Sequence, residues 1–188
     1  MSSDYVSLIP INPDYVPTDE AVARGLQHLA ATDVLRRAGD GWTTGANLQL
    51  LVQDPKPFAK NGQVIIAQPG APVWYRSYAY IRGHAGINFE PIACSICQAE
   101  LPFDEMLAAL GAATGDVALS RDALSIGCIH CDGKNYGPEH DYGISGGFAR
   151  FELHIEVTTS RQTQGNPAVL QEMTAILGAP IKMVQVLA

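Results

Sequence analysis

The chain has 188 residues, 47% hydrophobic and 16% charged, a globular composition long enough for one domain whose core needs no covalent staples. Its net charge of −7, with basic residues scattered and no run longer than Arg36-Arg37, argues against polyanion binding, which rests on Lys and Arg neutralising phosphates. No apolar run reaches the roughly 18 residues of a membrane span, and residues 1–15, MSSDYVSLIPINPDY, lack the cationic start and apolar stretch of a secretory signal; a cytoplasmic protein is expected.

YVSLIPI at 5–11 reads as a strand ended by Pro10 and Pro13. Thr18 is placed to cap a helix, with Asp19 and Glu20 in a first turn that favours anions. Val22, Leu26, Leu29 and Ala30 form its apolar stripe, and Arg36-Arg37 followed by Gly39 predict its end. GDGWTTG at 39–45 has no Lys where a phosphate loop needs one, so it reads as a flexible loop. LQLLV at 48–52 is a short strand or helix, QVIIA at 63–67 a strand, and VWYRSYAYI at 73–81 a β-favouring run.

At the C-terminal end, Phe151, Leu153, Ile155 and Val157 alternate with Glu152, His154 and Glu156, which predicts a strand with one buried and one wet face. Asn166 as cap, Pro167 at the first helical position and Gly178-Ala179-Pro180 as stop bracket a helix carrying Val169, Leu170, Met173, Ile176 and Leu177. IKMVQVL closes the chain as a strand. Strand, capped helix and later strand recur at both ends. The expected fold is therefore α+β, a single domain over 1–188: a mixed or antiparallel sheet, split βαβ-like, covered by two helices. Residues 90–147 read as an inserted module.

That module holds all four cysteines, as CSIC at 94–97 and CIHC at 128–131. Two Cys-x-x-Cys turns can close a tetrahedral four-thiolate shell, so Cys94, Cys97, Cys128 and Cys131 are the predicted ligands of a structural Zn²⁺. The 30 residues between the pairs exceed the usual spacing but leave room for an amphipathic helix in FDEMLAALGAAT. Gly133 eases approach of backbone N–H groups to the thiolates. A thioredoxin-like pair, an iron–sulfur cluster and four unrelated buried cysteines are the alternatives. Pro102 and the presence of a second pair disfavour the first, and the spacing disfavours the second. His130 reads as a polar surface residue.

GISGG at 143–147 matches the letters of G-x-S-x-G but lacks the strand-to-helix setting of a nucleophile elbow. GPEHDYG at 137–143 gathers Glu139, His140 and Asp141, which with His84 could form an acid–base site or a second metal site and otherwise make a solvated loop.

The cysteine motifs, the passage DYGISGGFARFEL and the closing LGAPIKMV resemble a family of uncharacterised bacterial zinc-ribbon-like proteins. Some of its members carry the label "sugar ABC transporter ATPase", which fits nothing here because no Walker motif is present. The similarity covers roughly 94–188. It implies a zinc-bearing bacterial cytoplasmic protein, with the four cysteines at the family's knuckle positions.

Charge, size and the lack of a catalytic set lead to a non-enzymatic protein-binding module. Its most concrete form is an immunity protein that neutralises a basic, nuclease-type bacterial toxin, with Asp132, Glu139 and Asp141 as acidic contacts. The alternatives are an enzyme using the Glu139-His140-Asp141 loop and a nucleic-acid-binding zinc ribbon.

Overall fold

The computed structural model describes residues 5–53, 63–66, 75–78, 92–101, 125–143, 146–157 and 163–186. The helix expected within 103–114, Trp74 and His84 lie outside these residues.

The fold is α+β. Strands β1 (Tyr5–Pro10), β2 (Leu35–Ala38), β3 (Gly41–Thr44), β4 (Gln63–Ile66), β9 (Leu153–Glu156) and β10 (Ile181–Val186) form one sheet in the order β10-β1-β9-β4-β3-β2. Every neighbouring pair is antiparallel. Both helical crossovers therefore join parallel strands that do not touch. Helix α1 (Asp19–Ala31) links β1 to β2 with three strands between them, and helix α2 (Pro167–Leu177) links β9 to β10 with β1 between. This is the split βαβ plan. Strands β5 (Tyr75–Tyr78) and β8 (Gly146–Ala149) pair separately, as do β6 (Ser125–Gly127) and β7 (Lys134–Tyr136). No helix among the described residues is long and apolar enough to cross a membrane.

Local chemistry explains the helices. Thr18 accepts a hydrogen bond from the Ala21 N–H at 3.2 Å, and Asn166 accepts from the Ala168 N–H at 3.0 Å. Gly178 closes α2 in the left-handed region at φ 84. The two helices pack together, with Gly25 of α1 against Met173 and Leu177 of α2. Their apolar stripes meet Val6, Leu8, Leu153, Ile155 and Met183, the inward residues of β1, β9 and β10, in one core.

Three expectations are corrected. Helix α1 ends at Ala31, so Arg36 and Arg37 lie on β2 rather than in a last helical turn. Asp33 takes the left-handed conformation at φ 57, and the Val34 N–H returns to the Leu29 carbonyl, closing the helix. GDGWTTG is no loose loop: Gly39 and Asp40 make the two-residue turn of a β2–β3 hairpin, with Gly39 at φ 58 in the position where such turns favour glycine.

The third concerns Glu152, expected on a wet face. It is fully buried, because β5 and β8 lie over that side of the sheet beside β1 and β10. Ser7 Oγ donates to Glu152 Oε1, and His154 Nδ1 stands 3.5 Å from the same oxygen. FARFELHIEV is accordingly two strands: β8 pairs with β5, whereas β9 pairs with β1 and β4.

Candidate metal centre

Each Cys-x-x-Cys pair sits at the tip of a hairpin. In the first, an Ala93–Glu100 bridge sets the arms, and the Cys94 N–H donates to Ala99 O at 2.8 Å while the Gln98 N–H donates to Cys94 O at 3.0 Å. In the second, β6 and β7 are the arms, and the Cys128 N–H donates to Gly133 O at 2.9 Å while the Asp132 N–H donates to Cys128 O at 2.9 Å. The two turns thus repeat the same hydrogen-bond plan 34 positions apart. Ile92, Leu101 and Ile126 anchor the arms by burial.

The turns face each other. Cys94 Sγ lies 3.7 Å from Cys131 Sγ, and Cys97 Sγ lies 3.6 Å from Cys128 Sγ. All four sulfurs fall within 4.8 Å of one another, close enough to hold one metal ion. Cys94 and Cys128 are buried, while Cys97 and Cys131 are exposed residues.

The cluster's electrostatics point the same way. The Cys97 backbone N–H, helped by the Ile96 N–H and the Asn135 amide, draws the Cys94 thiol down to about 6 against the effect of burial. The Gly133 N–H favours the Cys131 thiolate, yet the neighbouring sulfur of Cys97, burial, and the sulfurs of Cys128 and Cys94 push that thiol up to about 12. Four thiolates this close repel one another, and a cation among them removes the conflict.

Asn135 was not anticipated. It is 1% exposed, and its carboxamide touches both turns. The available signal was alternation in Lys134-Asn135-Tyr136, which turns the middle residue inward when Lys134 faces solvent.

The acidic candidates separate. Asp132 is exposed on the second turn. Glu139, His140 and Asp141 line an open cleft of about 450 Å³ with Ile11, Asn12, Pro13, Asp14 and Lys182, and Asp132 is not part of it. Lys182 Nζ donates to Asp141 Oδ1 at 3.3 Å and to Gly143 O at 3.4 Å. The Gly143 N–H and the Lys182 ammonium hold Asp141 below the usual carboxylate range. Burial lowers the His140 pKa, and its Nε2 has no hydrogen-bond partner among the described residues. Lys182 was a second residue missed, because strand position alone does not say which loop it faces.

Comparison with protein-family models, with curated proteins and with solved structures gives no match to this chain.

Proposed function

We propose that the chain is a non-enzymatic protein-binding module whose four cysteines hold a structural zinc ion. A tetrahedron with Zn–S bonds of about 2.3 Å has S···S edges of about 3.8 Å, and the two sulfur contacts of 3.6 and 3.7 Å are close to that edge. Four protein thiolates fill a tetrahedral shell and leave no position for water or substrate, so the ion contributes folding free energy rather than chemistry. The resemblance of residues 94–188 to a bacterial zinc-ribbon-like family belongs to the same proposal.

The observation that carries the binding role is on the turns themselves. Ile96 and Ile129, one from each Cys-x-x-Cys turn, are 67% and 70% exposed, more than any other large hydrophobic residue described. A metal-stiffened tip bearing apolar side chains is a low-entropy contact surface. The net charge of −7 favours a basic protein as partner, and a nuclease-type bacterial toxin held by its immunity protein is the narrowest version of that reading.

The test is capture from native-host extract with wild-type protein and with an Ile96→Asp/Ile129→Asp variant that keeps its metal. A stoichiometric basic partner retained by the wild type and lost by the variant is the expected result. Equal capture by both refutes the tip as the contact, and the absence of any stoichiometric partner refutes the binding role.

A second reading has one observation in its favour: Glu139, His140 and Asp141 share a cleft with Lys182, where a neutral imidazole can act as a base. It requires a turnover that His140→Gln abolishes without loss of fold.

A further inference from the structure

Asn135 lies where the two turns meet, and every polar atom of its side chain is engaged. Its Oδ1 accepts from the Ser95 N–H at 2.8 Å and from Ser95 Oγ at 3.0 Å. Its Nδ2 donates to Gly133 O at 3.2 Å and to Cys94 Sγ at 3.4 Å. Ser95 and Cys94 belong to the first turn and Gly133 to the second, so one planar group pins both.

We propose that Asn135 is the positioning residue of the metal centre. It locks the first turn onto the second so that four sulfurs converge, and its N–H···S bond draws charge off the Cys94 thiolate. The inference rests on the four-thiolate reading above and adds to it which residue outside the shell sets the shell's geometry and electronic character.

The chemistry requires an amide. Two donors from Ser95 need a single acceptor, while a carbonyl and a thiolate need donors, and a carboxamide supplies both from one rigid fork. Aspartate would keep the acceptor but lose the donor, and would add a negative charge beside sulfur. Leucine would fill the space and leave the Ser95 N–H and the Gly133 carbonyl without this partner. Four thiolates on a divalent ion carry a net double negative charge. Hydrogen bonds from outside the shell disperse that charge, as such partners do at other metal sites. Cys94 receives them from the Cys97 N–H, from the Ile96 N–H at 3.4 Å and from Asn135.

The experiment uses the full chain loaded with Co²⁺ or with ¹¹³Cd²⁺. Asn135→Asp and Asn135→Ala are expected to bind one ion about 10- to 100-fold more weakly than wild type. Their sulfur-to-cobalt charge-transfer band is expected to shift in energy. Ser95→Ala, which removes one hydroxyl donor and leaves the N–H···S bond, keeps the wild-type band.

The wild type provides a readout that no folding defect can obscure. In its cadmium form, the Asn135 side-chain amide proton is expected to show scalar coupling to ¹¹³Cd through the hydrogen bond to sulfur. Absence of that coupling, or Asn135 variants with wild-type affinity and an unmoved band, overturns the inference while leaving the four-thiolate site standing. A wild-type chain that takes up neither ion overturns the site itself.

Discussion

Gln98 and Asp132 occupy the same place in the two cysteine turns, each one residue beyond its second cysteine, with φ of 61 and 55. The chain must double back there so that the following strand pairs with the arm that entered the turn. Left-handed backbone does this, and it costs a residue with a Cβ roughly 1–2 kcal/mol. Asp tolerates that region better than Gln does. Gln98→Gly is therefore expected to stabilise the metal-loaded protein by about 1 kcal/mol, and Asp132→Gly by less. Denaturant unfolding in the presence of zinc measures both. A destabilised Gln98→Gly would show that the Gln side chain contributes more than its backbone costs.

The buried Ser7–Glu152 hydrogen bond gives a second expectation. Glu152→Ala leaves the Ser7 hydroxyl without its acceptor in a site closed to water, and should cost about 2 kcal/mol. Removing both partners with Ser7→Ala/Glu152→Met should cost less than the single change, because no buried polar group is then stranded. Urea midpoints for the three proteins decide it. A silent Glu152→Ala would return this side chain to solvent.

That substitution also shows where sequence reasoning stopped. Alternation placed Phe151, Leu153, Ile155 and Val157 on a buried face, and all four are buried. It could not say that the opposite face is covered as well, because the cover forms only when β8, just upstream, leaves the sheet to pair with the distant β5. Residues with local chemistry were legible: the Asn166 cap, Pro167, Gly178 and the Thr18 cap depend on neighbours a few positions away. The end of α1 was not, because Arg36 and Arg37 suit a last helical turn as well as an exposed strand. Asp33 decides between them by adopting a left-handed φ that its residue type permits without announcing. The four cysteines were legible as a group through their spacing. Asn135 was invisible as a partner, since a single amide in a three-residue strand carries no sign of which turn it will meet.

Metal removal should act locally. The sheet of β1, β2, β3, β4, β9 and β10 has a core of its own with α1 and α2, and none of the four cysteines belongs to it. The cysteine turns have only Ile92, Leu101 and Ile126 to bury among the described residues of their arms. A strong chelator is expected to abolish amide protection over 92–101 and 125–136 while β1, β9 and β10 stay protected. Hydrogen exchange with and without chelator reads this directly. Loss of protection across the whole chain would mean that the ion holds the main sheet together too.

His140 provides a pH signature separate from the thiols. Burial lowers its folded pKa below the ordinary 6.5, so the unfolded chain binds this proton more readily than the folded one. The stability it contributes is fully present above pH 6.5 and is lost as pH falls from there through the lowered folded value. Asp141 has the same sign but acts lower, since its folded pKa is depressed below 3.8. Stability measured from pH 7.5 to 5 should decline in wild type, and His140→Gln should flatten part of that slope. The subtraction must be made with metal saturating at every pH, because thiolate ligands release metal as they protonate. If His140→Gln leaves the slope unchanged, the imidazole is solvated in the folded protein. The cleft beside Lys182 would then hold an ordinary imidazole, with no burial to tune it.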